Sequence, residues 1–189
     1  METKLANPAP LGLMGFGMTT VLLNIHNAGF FPIDAMVLSM GIFYGGLSQI
    51  IVGGMCFKRG DTFGTTAFTS YGLFWLTLVG LNLLPLLGVN KSPSDFMAWY
   101  LVLWGLFTVF MFIGSLRYPF AKQVVFASLT VLFFLLAAHD FTGSVLLGHI
   151  AGFEGILCGL SAIYFAMAQV LNQEYGPSII HKGKTQSTK

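Results

Sequence analysis

Phe16, Thr19, Thr20, Asn24 and Asn27 fall within one broad face of the segment that carries them, at about 100° per helical residue. The polar members are hydroxyls and carboxamides, with no charge among them. Such a set makes no nucleophile, general acid or metal site. It can replace part of the hydration shell of a small polar or anionic solute, or it can tie one helix to another by hydrogen bonds. A second group stands in Gly64-Thr65-Thr66-Ala67-Phe68-Thr69-Ser70-Tyr71-Gly72, where Thr66, Thr69 and Ser70 share one side and Tyr71 lies on a line with Leu78 and Asn82. A helix start this dense in Ser and Thr also fits capping and back-bonding to the preceding turn. Gln49, deep in an apolar stretch, either joins two helices or touches a solute.

The ionisable residues are few. Glu154 is the one acid deep in an apolar run, where a carboxylate costs about 2.5–3.5 kcal/mol on insertion scales. Proton relay and a paired or snorkelling Glu are both open for it. His26, His139 and His149 are expected near one membrane face and His181 in the tail, without ligand spacing for a metal, so no metal site and no cofactor is expected. A pH-sensing role for the first three is the alternative. Lys122 is counted with the turn before it, so no Lys or Arg is placed inside an apolar span. An anion crossing would then rest on hydroxyls, amides and helix N-termini, or cross as the neutral acid. Cys56 and Cys158 read as small apolar packers rather than a disulfide.

These groups need elements to position them, and composition decides which. Hydrophobic residues make up 55% of the 189 and charged residues 8%, with mean hydropathy +0.77. Nine basic and seven acidic side chains cannot clothe a soluble fold of this length. A soluble enzyme, a nucleic-acid binder and a disordered chain are excluded. Only helices and closed barrels span a bilayer, and long apolar runs such as residues 96–116 favour helices over the alternation a barrel needs. The reading is all-α: a polytopic membrane protein with spans at 10–29, 33–57, 66–88, 95–116, 121–138 and 145–171. Turns fall at Phe31-Pro32-Ile33-Asp34, Lys58-Arg59-Gly60-Asp61, residues 90–95, Arg117-Tyr118-Pro119 and His139-Asp140-Phe141-Thr142-Gly143. Residues 1–175 form one transmembrane domain, and 176–189 a polar tail expected to be disordered.

The first span is too long and too polar for a cleaved signal peptide and is expected to stay. Lys4, Lys58, Arg59, Arg117, Lys122, Lys182, Lys184 and Lys189 fall on one side of six spans and Lys91 alone on the other, which places both termini in the cytoplasm. Gly41, Gly45, Gly46, Gly53 and Gly54, and Gly148, Gly152, Gly155 and Gly159, allow close helix approach, within the chain or between subunits. Phe16-Gly-Met-Thr, Phe68-Thr-Ser-Tyr71 and Phe126-Ala-Ser-Leu129 sit at similar depths of three parallel spans, which suggests three hairpins around a central path.

Asn7-Pro8-Ala9-Pro10-Leu11-Gly12-Leu13-Met14-Gly15-Phe16 resembles the signature of the acetate uptake transporter family. The likeness runs on through residues 40–46, Ala67-Phe68-Thr69-Ser70-Tyr71-Gly72, 74–78, 128–133 and 158–164, nearly the whole chain. It implies six helices per subunit, a homohexamer in the cell inner membrane, and a path in each subunit for acetate and succinate, by proton-coupled uptake or channel-like permeation. It implies a constriction at Phe16, Tyr71 and Leu129 and a selectivity position at Ala162. Thr19, Thr20, Asn24, Gln49, Thr69, Ser70 and Thr130 are taken as lining that path. The family has no acid expected at Glu154. Partners are the carboxylates, protons, the lipid bilayer and further copies of the chain, with no nucleic acid. A channel for a neutral solute such as urea or an amide is the alternative.

Overall fold

The computed structural model describes residues 5–176 and His181. Lys4, Lys182, Lys184, Lys189 and nearly all of the polar tail lie outside the described residues. The described residues form helices and turns, with no strand.

Helix α1, Ala9–Asn27, begins at the Asn-Pro-Ala-Pro run. Pro10 sits in the first turn, where its missing N–H has no helical partner to lose. The Asn7 carboxamide accepts from Ala9 N, 3.2 Å, and donates to Gln169 Oε1, 3.0 Å. Arg59 holds the strand-like lead-in by donating to the Leu5 and Ala6 carbonyls.

Helix α2, Ala35–Lys58, starts on Asp34, whose carboxylate accepts from Met36 N and Val37 N. Its middle, Gly41–Leu47, is a π-helical stretch, an insertion-like distortion that recurs at functional sites. Helix α3, Thr62–Leu83, is capped by Asp61 at Gly64 N and tightens into a 3₁₀ turn, Leu84–Leu87, where Pro85 and the left-handed Gly88 end it. Its start is four residues earlier than the apolar run suggests, because the Asp61 cap, not hydropathy, sets it.

Helix α4, Ser94–Ser115, and α5, Phe120–Thr142, each follow a proline. Sequence reading puts a turn at His139–Gly143, but α5 continues through His139 and Asp140 to Thr142 and stops at Gly143, φ 66°. Polar residues leaving the apolar layer are still helical; the left-handed glycine is what breaks the chain direction. Helix α6, Val145–Tyr175, starts on Ser144, which accepts from Leu147 N.

Five of these, Ala35–Lys58, Thr62–Leu87, Ser94–Ser115, Phe120–Thr142 and Val145–Tyr175, are long and apolar enough to cross a membrane. Helix α1 is 19 residues long and less apolar, and is not among them. It packs most closely on α6 through glycines: a methyl at Gly152 would meet Ala28 N at 2.2 Å, and one at Gly159 the Gly17 carbonyl at 2.7 Å. Gly41, Gly45 and Gly46 lie equally close to Val79, Trp75 and Leu76 of α3. These glycines therefore serve packing within the chain, whereas Gly54 faces open space. Cys56 and Cys158 are free and buried.

Candidate functional site

A cavity of about 260 Å³ opens at the end of the bundle that carries Asn7, Asp61, Tyr118 and Lys122. It lies among α1, α2, α3, α5 and α6, and Phe16, Tyr71 and Leu129 all belong to its wall, with Leu13, Ala67, Phe126 and Phe165 around them. These side chains are buried in one apolar cluster. The Phe16 and Tyr71 rings stand 6.3 Å apart, and Tyr71 is braced from behind by Phe107, 5.5 Å, and Trp104, 6.2 Å. Ala162 is fully buried in the same cluster but is not part of the wall.

The Tyr71 hydroxyl lies 3.0 Å from Thr108 Oγ1. Thr108 donates its own proton to the Trp104 carbonyl, 2.7 Å, so Tyr71 is the donor to Thr108. A free phenol at the constriction, as the sequence allows, is not what the fold provides. The ring faces the cavity and the hydroxyl is used up against α4.

The polar stripe of α1 lies largely beyond this cavity. Asn24 donates to the Thr20 carbonyl, 2.9 Å, and accepts from Asn27 Nδ2, 3.0 Å. Thr20 is buried with no partner for its hydroxyl among the described residues. A buried unsatisfied polar group costs about 1–3 kcal/mol, so this hydroxyl has capacity for a ligand or water. Thr19 turns to the neighbouring helix, with its hydroxyl on the Gly15 carbonyl, 2.7 Å, and near the Met40 carbonyl, 3.5 Å. Gln49 is buried in the cavity wall and donates to the Gly45 carbonyl, 2.7 Å. Thr69 packs its hydroxyl against Gly53, Ser70 is half-buried, and Thr130 donates to the Phe126 carbonyl; none of the three is in the wall.

Lys122 corrects the expectation that no cation enters the apolar spans. It sits in the first turn of α5 because Pro119 starts the helix, and it lines the cavity. Its ammonium rests over the Tyr118 ring, 3.3 Å from the centroid, and the Phe63 ring, 3.9 Å. Burial, then the Asp61 carboxylate, raises the Tyr118 phenol above its ordinary value, so it stays neutral. Among the described residues no group of His, Cys, Asp and Glu could hold a metal ion. The wall combines one ammonium (Lys122), one carboxylate (Asp61) and three carboxamides (Asn7, Gln49, Gln169) with the apolar cluster around Phe16, Tyr71 and Leu129.

Over residues 1–184 the chain matches the GPR1/FUN34/yaaH family. It is 56% identical to the succinate-acetate/proton symporter SatP of Escherichia coli K12, over 97% of this chain and 98% of that one. It is 34% identical to acetate permease A of Emericella nidulans, over 88% of this chain and 62% of that one. The solved structure of the bacterial acetate channel SatP superposes with a TM-score of 0.94, covering 95% of this chain and all of the other at 56% identity. These relatives are named as transporters and a channel, not as enzymes. The full-length match and the shared fold make the chain a member of the GPR1/FUN34/yaaH family.

Proposed function

We propose that this protein carries acetate and succinate across the cell inner membrane, together with protons. The observation that supports the reading is the cavity whose wall includes Phe16, Tyr71 and Leu129, with the Tyr71 phenol proton committed to Thr108. An apolar constriction of this kind passes a small acid that has shed its water and its charge, and rejects hydrated ions. The relatives named as an acetate permease and a succinate-acetate/proton symporter agree with it. Thr20 and Asn24 receive the carboxyl group beyond the constriction, and Gln49 before it.

The protein has six spans on this reading. Helix α1 would cover about 28 Å at 1.5 Å per residue, close to the hydrocarbon thickness. Its hydropathy is lowered by Thr19, Thr20 and Asn24, which are buried inside the bundle and never meet lipid. Asn7, Lys58, Arg59, Arg117 and Lys122 then lie on the cytoplasmic side with both termini. The homohexamer is supported by the family resemblance, and the exposed apolar side chains of α4, Trp99, Leu103, Leu106 and Phe110, would face lipid or a neighbouring subunit.

Uptake of labelled acetate into proteoliposomes tests the proposal. Uptake is expected to rise when an inward proton gradient is imposed and to be competed by succinate. A chain that passes urea, and moves acetate at a rate indifferent to the gradient, would instead be the neutral-solute channel.

A further inference from the structure

A second cavity, also about 260 Å³, lies at the opposite end of the bundle, and three of its eight lining residues are histidines. His26 comes from the last turn of α1, His139 from the end of α5 and His149 from the first turns of α6. Asn27, Gly29, Leu136, Val145 and Gly148 complete the wall, which holds no Lys, Arg, Asp or Glu.

The rings are set in place. His26 Nδ1 is 2.8 Å from the Phe31 carbonyl oxygen, and His139 Nδ1 is 2.9 Å from the Ser144 carbonyl oxygen. A carbonyl only accepts, so both Nδ1 atoms carry a hydrogen. That fixes Nε2 as the atom that gains or loses the remaining proton. Two glycines make the room. A methyl at Gly29 would lie 2.7 Å from His149 Nε2, and one at Gly148 would lie 3.0 Å from His139 Nδ1. Asn27 links the cavity inward, because it donates to Asn24, which donates to the Thr20 carbonyl.

We infer that this cavity is an outer binding site for the small carboxylate, formed when His26, His139 or His149 takes up a proton from the outer solution. Neutral, the His26 and His139 rings, whose Nδ1 atoms are held by carbonyls, offer Nε2 only as an acceptor and cannot hold an anion. Protonated, a ring offers an N–H donor and a positive charge, and the carboxylate binds by a charge-assisted hydrogen bond. Each carboxylate held this way brings one proton to the mouth of the path. The inference rests on the transport reading and on its orientation.

The charges that bear on these rings are few. Asp140 Oδ1 is 3.9 Å from His139 Nε2 and competes with the incoming anion for that ring's proton. Asp34, on the loop after α1, is engaged by Met36 N and Val37 N, and Glu154, further along α6, is not in the wall. Of the two rings whose Nδ1 is held, His26 is therefore the stronger carboxylate partner.

Two measurements test this on the full-length protein. The first compares acetate KM in proteoliposomes for wild type and for His26→Gln/His139→Gln/His149→Gln at outer pH 6 and pH 8. Taking the ratio of variant to wild type at each pH cancels the changing fraction of neutral acid. The ratio at pH 6 is expected to exceed the ratio at pH 8 on the order of tenfold, since a hydrogen bond to a charged group is worth about 1.5–3 kcal/mol. Equal ratios overturn the inference. The second needs no variant: imidazole ¹⁵N NMR of the wild type in detergent, with acetate against chloride at equal ionic strength. Acetate at ten times its Kd should raise the midpoint of a participating ring by about one unit. Midpoints that acetate leaves where chloride leaves them overturn it. Wild-type uptake of labelled acetate, which needs no histidine variant, tests the transport reading separately.

Discussion

Tyr71→Phe separates two roles for a residue of the cavity wall that the proposed reading puts at the constriction. The fold commits the phenol proton to Thr108, 3.0 Å away on α4, while Thr108 keeps its own proton on the Trp104 carbonyl. Removing the hydroxyl deletes one buried neutral hydrogen bond and leaves the ring among Phe16, Phe107, Trp104 and Phe126. The loss in stability should be about 0.5–1.5 kcal/mol. In a chain of this size that lowers the melting temperature by about 2–4 °C for each kcal/mol. Acetate uptake should keep its KM within about threefold, which is less than 1 kcal/mol. Were the hydroxyl instead a ligand for the carboxylate, the variant would lose about 1.5–3 kcal/mol of binding, or roughly ten- to a hundredfold in KM. Labelled acetate uptake and thermal unfolding, measured on the same purified variant, give both numbers. A tenfold rise in KM with an unchanged melting temperature would refute the assignment of the phenol to α4.

Three further substitutions probe other parts of the path. Leu129→Ala removes a side chain from the narrowest part of the wall and should shift competition profiles toward acids larger than acetate; an unchanged ranking of competing acids would mean the constriction lies elsewhere. Lys122→Gln takes the ammonium from the inner vestibule and should raise the inner-side KM for succinate about fivefold, on the order of 1 kcal/mol, with a smaller effect on acetate, read by counterflow from loaded vesicles. Glu154→Gln should keep proton-dependent uptake and hold or raise the melting temperature, because Glu154 Oε2 is buried without a partner and the amide removes a charge from the apolar layer. Uptake indifferent to the gradient in that variant alone would make Glu154 the coupling residue.

The helices were legible because apolar runs and proline–glycine punctuation are local signals. Phe16, Tyr71 and Leu129 are named by the family resemblance, with which the related patterns on three parallel spans agree, and the fold brings them to one cavity wall. Other features depend on contacts that no local pattern carries. Lys122 reads as a loop cation until Pro119 is seen to start the helix, which turns the first-turn ammonium onto Phe63 and Tyr118. The Tyr71–Thr108 bond joins two helices 37 residues apart, so the phenol looks free in the sequence. The three histidines look scattered because they come from the ends of three different helices, and only the α1–α6 and α5–α6 packing gathers them. The π-helical stretch at Gly41–Leu47 coincides with glycines fitted against Trp75 and Leu76 of α3, contacts that no pattern within α2 announces.

On the proposed reading, the order of chemistry along the path accounts for why a proton travels with the solute. On that reading the inner vestibule holds Lys122 and Asp61, and the outer cavity holds three imidazoles. Between them the constriction has two aromatic rings and a leucine, and the one hydroxyl there is engaged with Thr108. A simple carboxylic acid titrates near ~4.3, so at neutral pH on the order of one molecule in several hundred carries its own proton. An anion entering the constriction would give up its hydration with no donor to replace it, whereas the neutral acid gives up far less. On the proposed reading, the groups that exchange protons stand at the two mouths and none stands at the waist. The proton then crosses the waist on the solute itself, and the imidazoles set how often a carboxylate arrives there with a proton beside it.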